Sequence, residues 1–146
     1  DLFCVLSGFS LGEFESSYWN ALNISPLVPG HVLVCPKREV KRYRDLSKEE
    51  IIEIFTHAQI ISNKLETYFN TTALNFGLQD GRDAGQSVPH VHLHILPRKR
   101  GDFERNDEIY EKLNEDVEIQ EKRVRRSADE MAEEANIFRA LFENWS

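Results

Sequence analysis

Residues 90–94 read His-Val-His-Leu-His, so three of the chain's five histidines fall on every second position. In an extended strand, side chains at i, i+2 and i+4 share one face. The pattern predicts a strand over 89–96, ended by Pro97, with one wall of imidazoles. Val91, Leu93 and Ile95 form the other wall and pack inward. Imidazole, with an unperturbed pKa of about 6.5, is the side chain that titrates near neutrality. Three on one face make either a nucleophile with acid–base company or a metal site.

The rest of the chain supplies a sheet around that strand and helices to cover it. Leu2–Leu6, Tyr18–Ile24 and His31–Cys35 are rich in β-branched and aromatic residues and read as strands, punctuated by Ser25-Pro26 and Val28-Pro29-Gly30. Ser47-Lys-Glu-Glu50 has the form of a capping box. The helix it opens carries Ile51, Ile54, Phe55, Ala58, Ile61, Leu65, Tyr68 and Phe69 at spacings of three and four, with His57 off that stripe. Ala73–Gln79 alternates as a strand, and the loop Asp80–Ser87 joins it to the histidine strand as an antiparallel neighbour. A short helix is expected near Asp107–Leu113, then a mobile charged segment over 114–126. Ser127-Ala-Asp-Glu130 is a second capping box, and its helix places Met131, Ala135, Phe138 and Leu141/Phe142 on one face. The expectation is one α+β domain over residues 1–146, with an antiparallel five-stranded sheet, one long helix and a C-terminal helix.

Charge narrows the partners. The net charge of −7 argues against general affinity for nucleic acid backbones. Basic residues nevertheless cluster at Lys37, Arg38, Lys41, Arg42 and Arg44, and again at Arg98, Lys99 and Arg100, four residues past the last histidine. Cys4 and Cys35 sit in apolar runs and read as buried free thiols, which suits a reducing, cytoplasmic setting, with a nuclear presence also compatible. No apolar stretch approaches the roughly 20 residues of a membrane span, and the start of the chain lacks a signal-peptide pattern.

Two chemistries compete for the imidazole wall. Zinc binds nitrogen at about 2.1 Å, so two alternate histidines converge on one ion more readily than three spread over about 13 Å of strand. No carboxylate lies between Ser87 and Arg100 to complete a set. Phosphoryl chemistry needs one nucleophilic imidazole and donors for phosphate oxygens. Gly85, Gln86 and Ser87 offer such donors just upstream, and Gln79 can project to the same face. His92, flanked on both sides by a histidine, is the geometric nominee.

At this point the chain resembles the histidine triad (HIT) family. His90–Leu96 fits its His-apolar-His-apolar-His-apolar-apolar signature. Gly85-Gln86-Ser87-Val88 is similar to its phosphate loop, and Pro29-Gly30-His31-Val-Leu-Val-Cys-Pro36 to its other characteristic strand. Pro97-Arg98-Lys99-Arg100-Gly101-Asp102-Phe103, with Arg105-Asn106-Asp107 and Ile109-Tyr110, resembles the Fhit branch rather than the Hint branch. The resemblance implies hydrolysis of dinucleoside polyphosphates, diadenosine triphosphate above all, through a nucleotidyl-histidine on His92. It implies that His90 orients His92, that His31 supports the triad, and that His94 and Gln79 contact phosphates or the bridging oxygen. Gly85, Gln86, Ser87 and Val88 would hold the α-phosphate, Asn23 the ribose, and Leu33 would border the adenine. It further implies a homodimer, no protein-bound metal or tightly bound cofactor, a divalent ion (Mg or Mn) accompanying the substrate, and Tyr110 as a regulatory phosphorylation site. Pro89 has no N–H and can make no amide contact to phosphate. The alternatives are a Hint-like nucleoside phosphoramidate hydrolase and a nucleotide-bound signalling module.

Overall fold

The structure, a computed structural model, describes residues 18–143. Strands β1 (Tyr18–Leu22), β2 (Val32–Pro36), β3 (Ala73–Gly77) and β4 (Leu93–Arg98) form one sheet in the order β1-β2-β4-β3. Every neighbouring pair is antiparallel, including the anticipated β3–β4 pair. Helices α1 (Lys48–Phe69), α2 (Glu108–Leu113), α3 (Val117–Glu121) and α4 (Ala128–Glu143) complete the described chain. The sheet thus has four strands among the described residues rather than the expected five. The fifth, Leu2–Leu6, and Cys4 with it, lie outside those residues.

The sheet has two unlike faces. Val32, Val34, Leu93 and Ile95 pack with Ile54, Ala58, Ile61 and Leu65 of α1 and with Met131, Ala135, Phe138 and Phe142 of α4. Strand alternation turns Leu33, Cys35, His94 and Leu96 the other way. There, Leu96 packs with Val28 and with Ile109 and Leu113 of α2. The larger apolar layer therefore lies on one face, and the other carries the Leu96 cluster together with His94, beside which a pocket opens.

The histidine segment departs from the expected strand. Regular pairing begins only at Leu93 and continues through Pro97 to Arg98. β2 pairs with Leu93–Ile95 alone, so beyond Ile95 the strand has β3 as its one paired neighbour. A proline is tolerated where its missing N–H faces an unpaired side. Upstream, Val91 N–H bonds the Val40 carbonyl at 2.7 Å and His90 N–H turns back to Val88 at 2.8 Å, so this stretch is held by loops and not by the ladder.

α1 begins as its sequence dictates. Ser47 accepts from Glu50 N–H at 3.1 Å and the Glu50 carboxylate accepts from Ser47 N–H at 3.0 Å, closing the capping box. The expected stripe is too wide, however, since Phe55 and Tyr68 are 49% and 45% exposed. Ser62, which apolar spacing could not nominate, is buried with its hydroxyl donating to the Ala58 carbonyl. Ser47→Ala removes one arm of the box and is expected to cost about 1 kcal/mol. In urea titrations the midpoint should fall with the slope unchanged; an unaltered midpoint would show the cap to be idle.

Segment 114–126, expected to be a mobile charged stretch, follows a defined path. Val117 is buried, Gln120 Nε2 donates to the Gly85 carbonyl at 2.8 Å, Ser25 Oγ donates to the Val124 carbonyl at 3.0 Å, and Arg126 N–H bonds the Ile24 carbonyl at 2.9 Å. Its charges are used locally, with Arg123 paired to Glu115 and Arg126 to Glu134. The second capping box forms as expected, with Glu130 N–H on Ser127 Oγ at 3.2 Å and Ser127 N–H on the Glu130 carboxylate at 2.8 Å.

Candidate active site

The hydrogen bonds around the imidazoles determine which nitrogens carry protons, because a carbonyl can only accept and an amide N–H can only donate. His92 Nδ1 lies 2.7 Å from the His90 carbonyl. Nδ1 therefore carries the proton, and the neutral ring keeps its lone pair on Nε2. His90 takes the opposite tautomer: Val40 N–H donates to Nδ1 at 3.2 Å, and Nε2–H donates to the Pro36 carbonyl at 2.8 Å. Leu27 N–H donates to His31 Nδ1 at 3.1 Å, so His31 carries its proton on Nε2, which lies 2.8 Å from His94 Nδ1. That bond makes His94 Nδ1 an acceptor and leaves Nε2–H as a free donor. The Asn23 amide nitrogen is 3.3 Å from His31 Nε2; with both groups donors this is a contact and not a bond. The Asn23 side-chain oxygen instead accepts from Ser25 N–H at 2.8 Å.

Electrostatics keep these rings neutral. Burial and then the Arg123 guanidinium hold His31 down to about 3. Burial, reinforced by His92, His31 and Arg123, holds His94 well below the usual imidazole range. His92 is lowered too, chiefly by burial, although its bond to the His90 carbonyl opposes the shift. Burial likewise lowers His90. The constellation thus presents one lone pair, on His92, beside one N–H donor, on His94, whose ring centroid lies 4.9 Å from that of His92. Cys35 is no rival nucleophile, since burial pushes its thiol up to about 12.

A pocket opens on this pair. Of the residues nominated from sequence, Asn23, His31, Leu33, Ser87, Val88, His92 and His94 line it. Four do not. His90 is buried, and its carbonyl meets His92 Nδ1. Gln79 is buried 3.5 Å from Asn114 Oδ1. The Gly85 carbonyl is taken by Gln120. The Gln86 amide clamps the loop, accepting from Gly81 N–H at 2.7 Å and donating to the Lys41 carbonyl at 3.0 Å. His31 is placed against His94 and not against His92. Tyr110 lies on α2 away from the pocket lining, half-exposed, with its hydroxyl accepting from Asn75 Nδ2 at 3.1 Å. Missed from sequence were Gln120, Glu121, Arg123 and Arg125 on the pocket wall. The signal that could have found them is the basic run at 122–126, four cations in five positions.

Among the described residues, no group of three His, Cys, Asp or Glu side chains is arranged to hold a metal ion. The direct His31–His94 bond engages two of the nitrogens that such an ion would need.

The HIT domain profile matches residues 9–101. The chain belongs to the HIT family. It is 51% identical over 129 residues to an Arabidopsis thaliana protein named bifunctional bis(5'-adenosyl)-triphosphatase/adenylylsulfatase FHIT, covering 84% of this chain and 72% of that one. It is 50% identical over 122 residues to the bis(5'-adenosyl)-triphosphatase of Dictyostelium discoideum, covering 84% and 78%. The crystal structure of Plasmodium falciparum diadenosine triphosphate hydrolase in complex with Cyclomarin A superposes with a TM-score of 0.74 at 32% identity, covering 95% of this chain and 80% of that one. As a Fhit-like member, the chain carries its histidine segment at the strand end where the pocket opens. Among the described residues, no helix is long and apolar enough to cross a membrane.

Proposed function

We propose that this protein hydrolyses dinucleoside polyphosphates, diadenosine triphosphate to AMP and ADP, by way of an adenylyl group on His92 Nε2. The observation that carries the reading is the His92 Nδ1–H bond to the His90 carbonyl, which leaves Nε2 unprotonated in the pocket. The Nε2 lone pair attacks the α-phosphorus, and the bond from that phosphorus to its bridging oxygen breaks. His94 Nε2–H donates to the departing oxygen of ADP, while His31 fixes the His94 tautomer. The His92 ring gains positive charge as it is adenylylated, and the His90 carbonyl already faces the proton that shares that charge, a preorganised stabilisation. Water then cleaves the phosphorus–nitrogen bond and releases AMP. Ser87 supplies donors to the phosphate, Asn23 meets the ribose, and Leu33 borders the base. Gln79, Gly85 and Gln86 support the site without touching substrate. A divalent cation, Mg or Mn, accompanies the substrate phosphates.

The relatives named for diadenosine triphosphate support this substrate. A homodimer fits the edge of β3, unpaired among the described residues, which bears Phe76 at 46% exposure on the sheet face that α1 covers. Mixing the protein with diadenosine triphosphate and quenching within one turnover is expected to give an intact mass heavier by one adenylyl group. A folded protein that releases AMP and ADP with no adduct under any quench would rule out the covalent route. Absence of AMP altogether would rule out the activity.

A further inference from the structure

The wall of the pocket opposite the histidines is built from the segment between α2 and α4. Arg123 and Arg125 both line the pocket, and among the described residues Glu121 is the one carboxylate that lines it with them. The histidines there are neutral, so the positive charge of the pocket comes from this segment. Arg123 is four-fifths buried, at 21% side-chain exposure. Its Nε and Nη2 lie 3.1 and 2.8 Å from Glu115 Oε2, and Nη2 also donates to the Lys112 carbonyl. Lys112 Nζ lies 3.4 Å from the other Glu115 oxygen, so one carboxylate is shared by two cations and the cluster keeps surplus positive charge. Arg123 Nη1 makes no hydrogen bond to any described residue, and Arg125 makes neither an ion pair nor a hydrogen bond to one. Arg126 is a contrast: it is spent on structure, donating to the Asn23 carbonyl at 2.6 Å and pairing with Glu134.

We infer that Arg123 and Arg125 bind phosphate oxygens beyond the one held at the histidines, and so make this pocket select polyphosphates over substrates with a single phosphorus. A guanidinium offers several donors in a planar fork suited to phosphate oxygens. The field of Arg123 falls on His31 and His94, and it is not among the groups that act on His92. That places the charge on the side of the donor to the leaving group, where the remaining phosphates depart. The inference rests on the hydrolase reading above.

The test compares kcat/KM on diadenosine triphosphate and on adenosine 5'-phosphoramidate, which has one phosphorus. For Arg123→Ala the ratio of the two should shift against the triphosphate by about tenfold, the scale of one charged hydrogen bond. Arg123→Lys should restore part of it, and raised salt should shrink the wild-type preference. Equal loss on both substrates would overturn the inference and make Arg123 a brace. Should Arg123→Ala lower the melting temperature, Arg125→Ala, with its exposed and unbonded side chain, gives the same readout, and an unchanged ratio there overturns the inference. If the wild type turns over neither substrate, the hydrolase reading fails by itself. Calorimetric titration with inorganic tripolyphosphate then decides the site: tenfold weaker binding by the double Ala variant supports it, and equal binding overturns it.

Discussion

His92→Ala is expected to lower kcat on diadenosine triphosphate by roughly 10³-fold or more, with the affinity for substrate changed much less. The magnitude follows from the role: removing a nucleophile deletes the covalent route, and what remains comes from binding and charge stabilisation alone. The direction is specific to His92 because its neighbours hold different hydrogen bonds. His90 spends both ring nitrogens on Val40 N–H and the Pro36 carbonyl. His31 spends both on Leu27 N–H and His94. His94 keeps Nε2–H as a donor and has no lone pair left over. Rapid-quench measurement of AMP, with substrate affinity from calorimetry, checks the split. A variant that retains a tenth of the wild-type rate would show that another group attacks.

The sequence nominates His92 by its position between two histidines, whereas the role proposed for it rests on a hydrogen bond to a main-chain carbonyl. The hydrogen bond from His92 Nδ1–H goes to the His90 main-chain carbonyl. Side-chain spacing reports which residues share a face, and a backbone carbonyl has no residue-type signature to read. The same limit explains Gln86 and Gly85. Their composition suits a phosphate cradle, but Gly85 N–H and Gln86 N–H are given to the Arg82 and Gly81 carbonyls, and the Gln86 side-chain amide is captured by Gly81 and by Lys41, 45 residues away in sequence. Long-range capture of a polar group is invisible to local pattern.

Elements set by local rules were legible. Both capping boxes form, the antiparallel β3–β4 pair follows from the loop that joins them, and α2 lies one residue inside its expected bounds. Segment 114–126 was misread because its apolar residues are sparse, and sparse apolar content suggests solvation. What holds it is polar and distant: Ser25 Oγ, the Ile24 and Gly85 carbonyls, and Glu115 for its own Arg123. The basic run inside it was the signal of a site wall, and it was averaged away in a segment counted as uniformly charged.

Lowering the pH from 7 to 5 is expected to destabilise the fold by about 2 kcal/mol through His31, with His94 adding in the same direction. Burial depresses both, His31 to about 3 and His94 well below the usual range. In the unfolded chain each returns to about 6.5. Between those values the unfolded state binds a proton that the folded state refuses, so stability falls as pH falls. The contribution is complete above about 6.5 and is lost progressively below it, for His31 down to about 3. At about 1.4 kcal/mol per pH unit, the 1.5 or so units between 6.5 and 5 give about 2 kcal/mol for His31. Acidic groups such as Asp102, held at about 2 by Arg98, begin to matter only below about 4, where the unfolded carboxylate protonates. Urea midpoints at pH 7 and pH 5 measure the loss, and in His31→Asn the same step in pH should cost less than in the wild type. An unchanged wild-type midpoint would mean that these rings carry charge inside the fold. In that case the proton assignments that leave His92 Nε2 free beside the His94 donor could not stand, because a doubly protonated His31 would have no acceptor for Leu27 N–H.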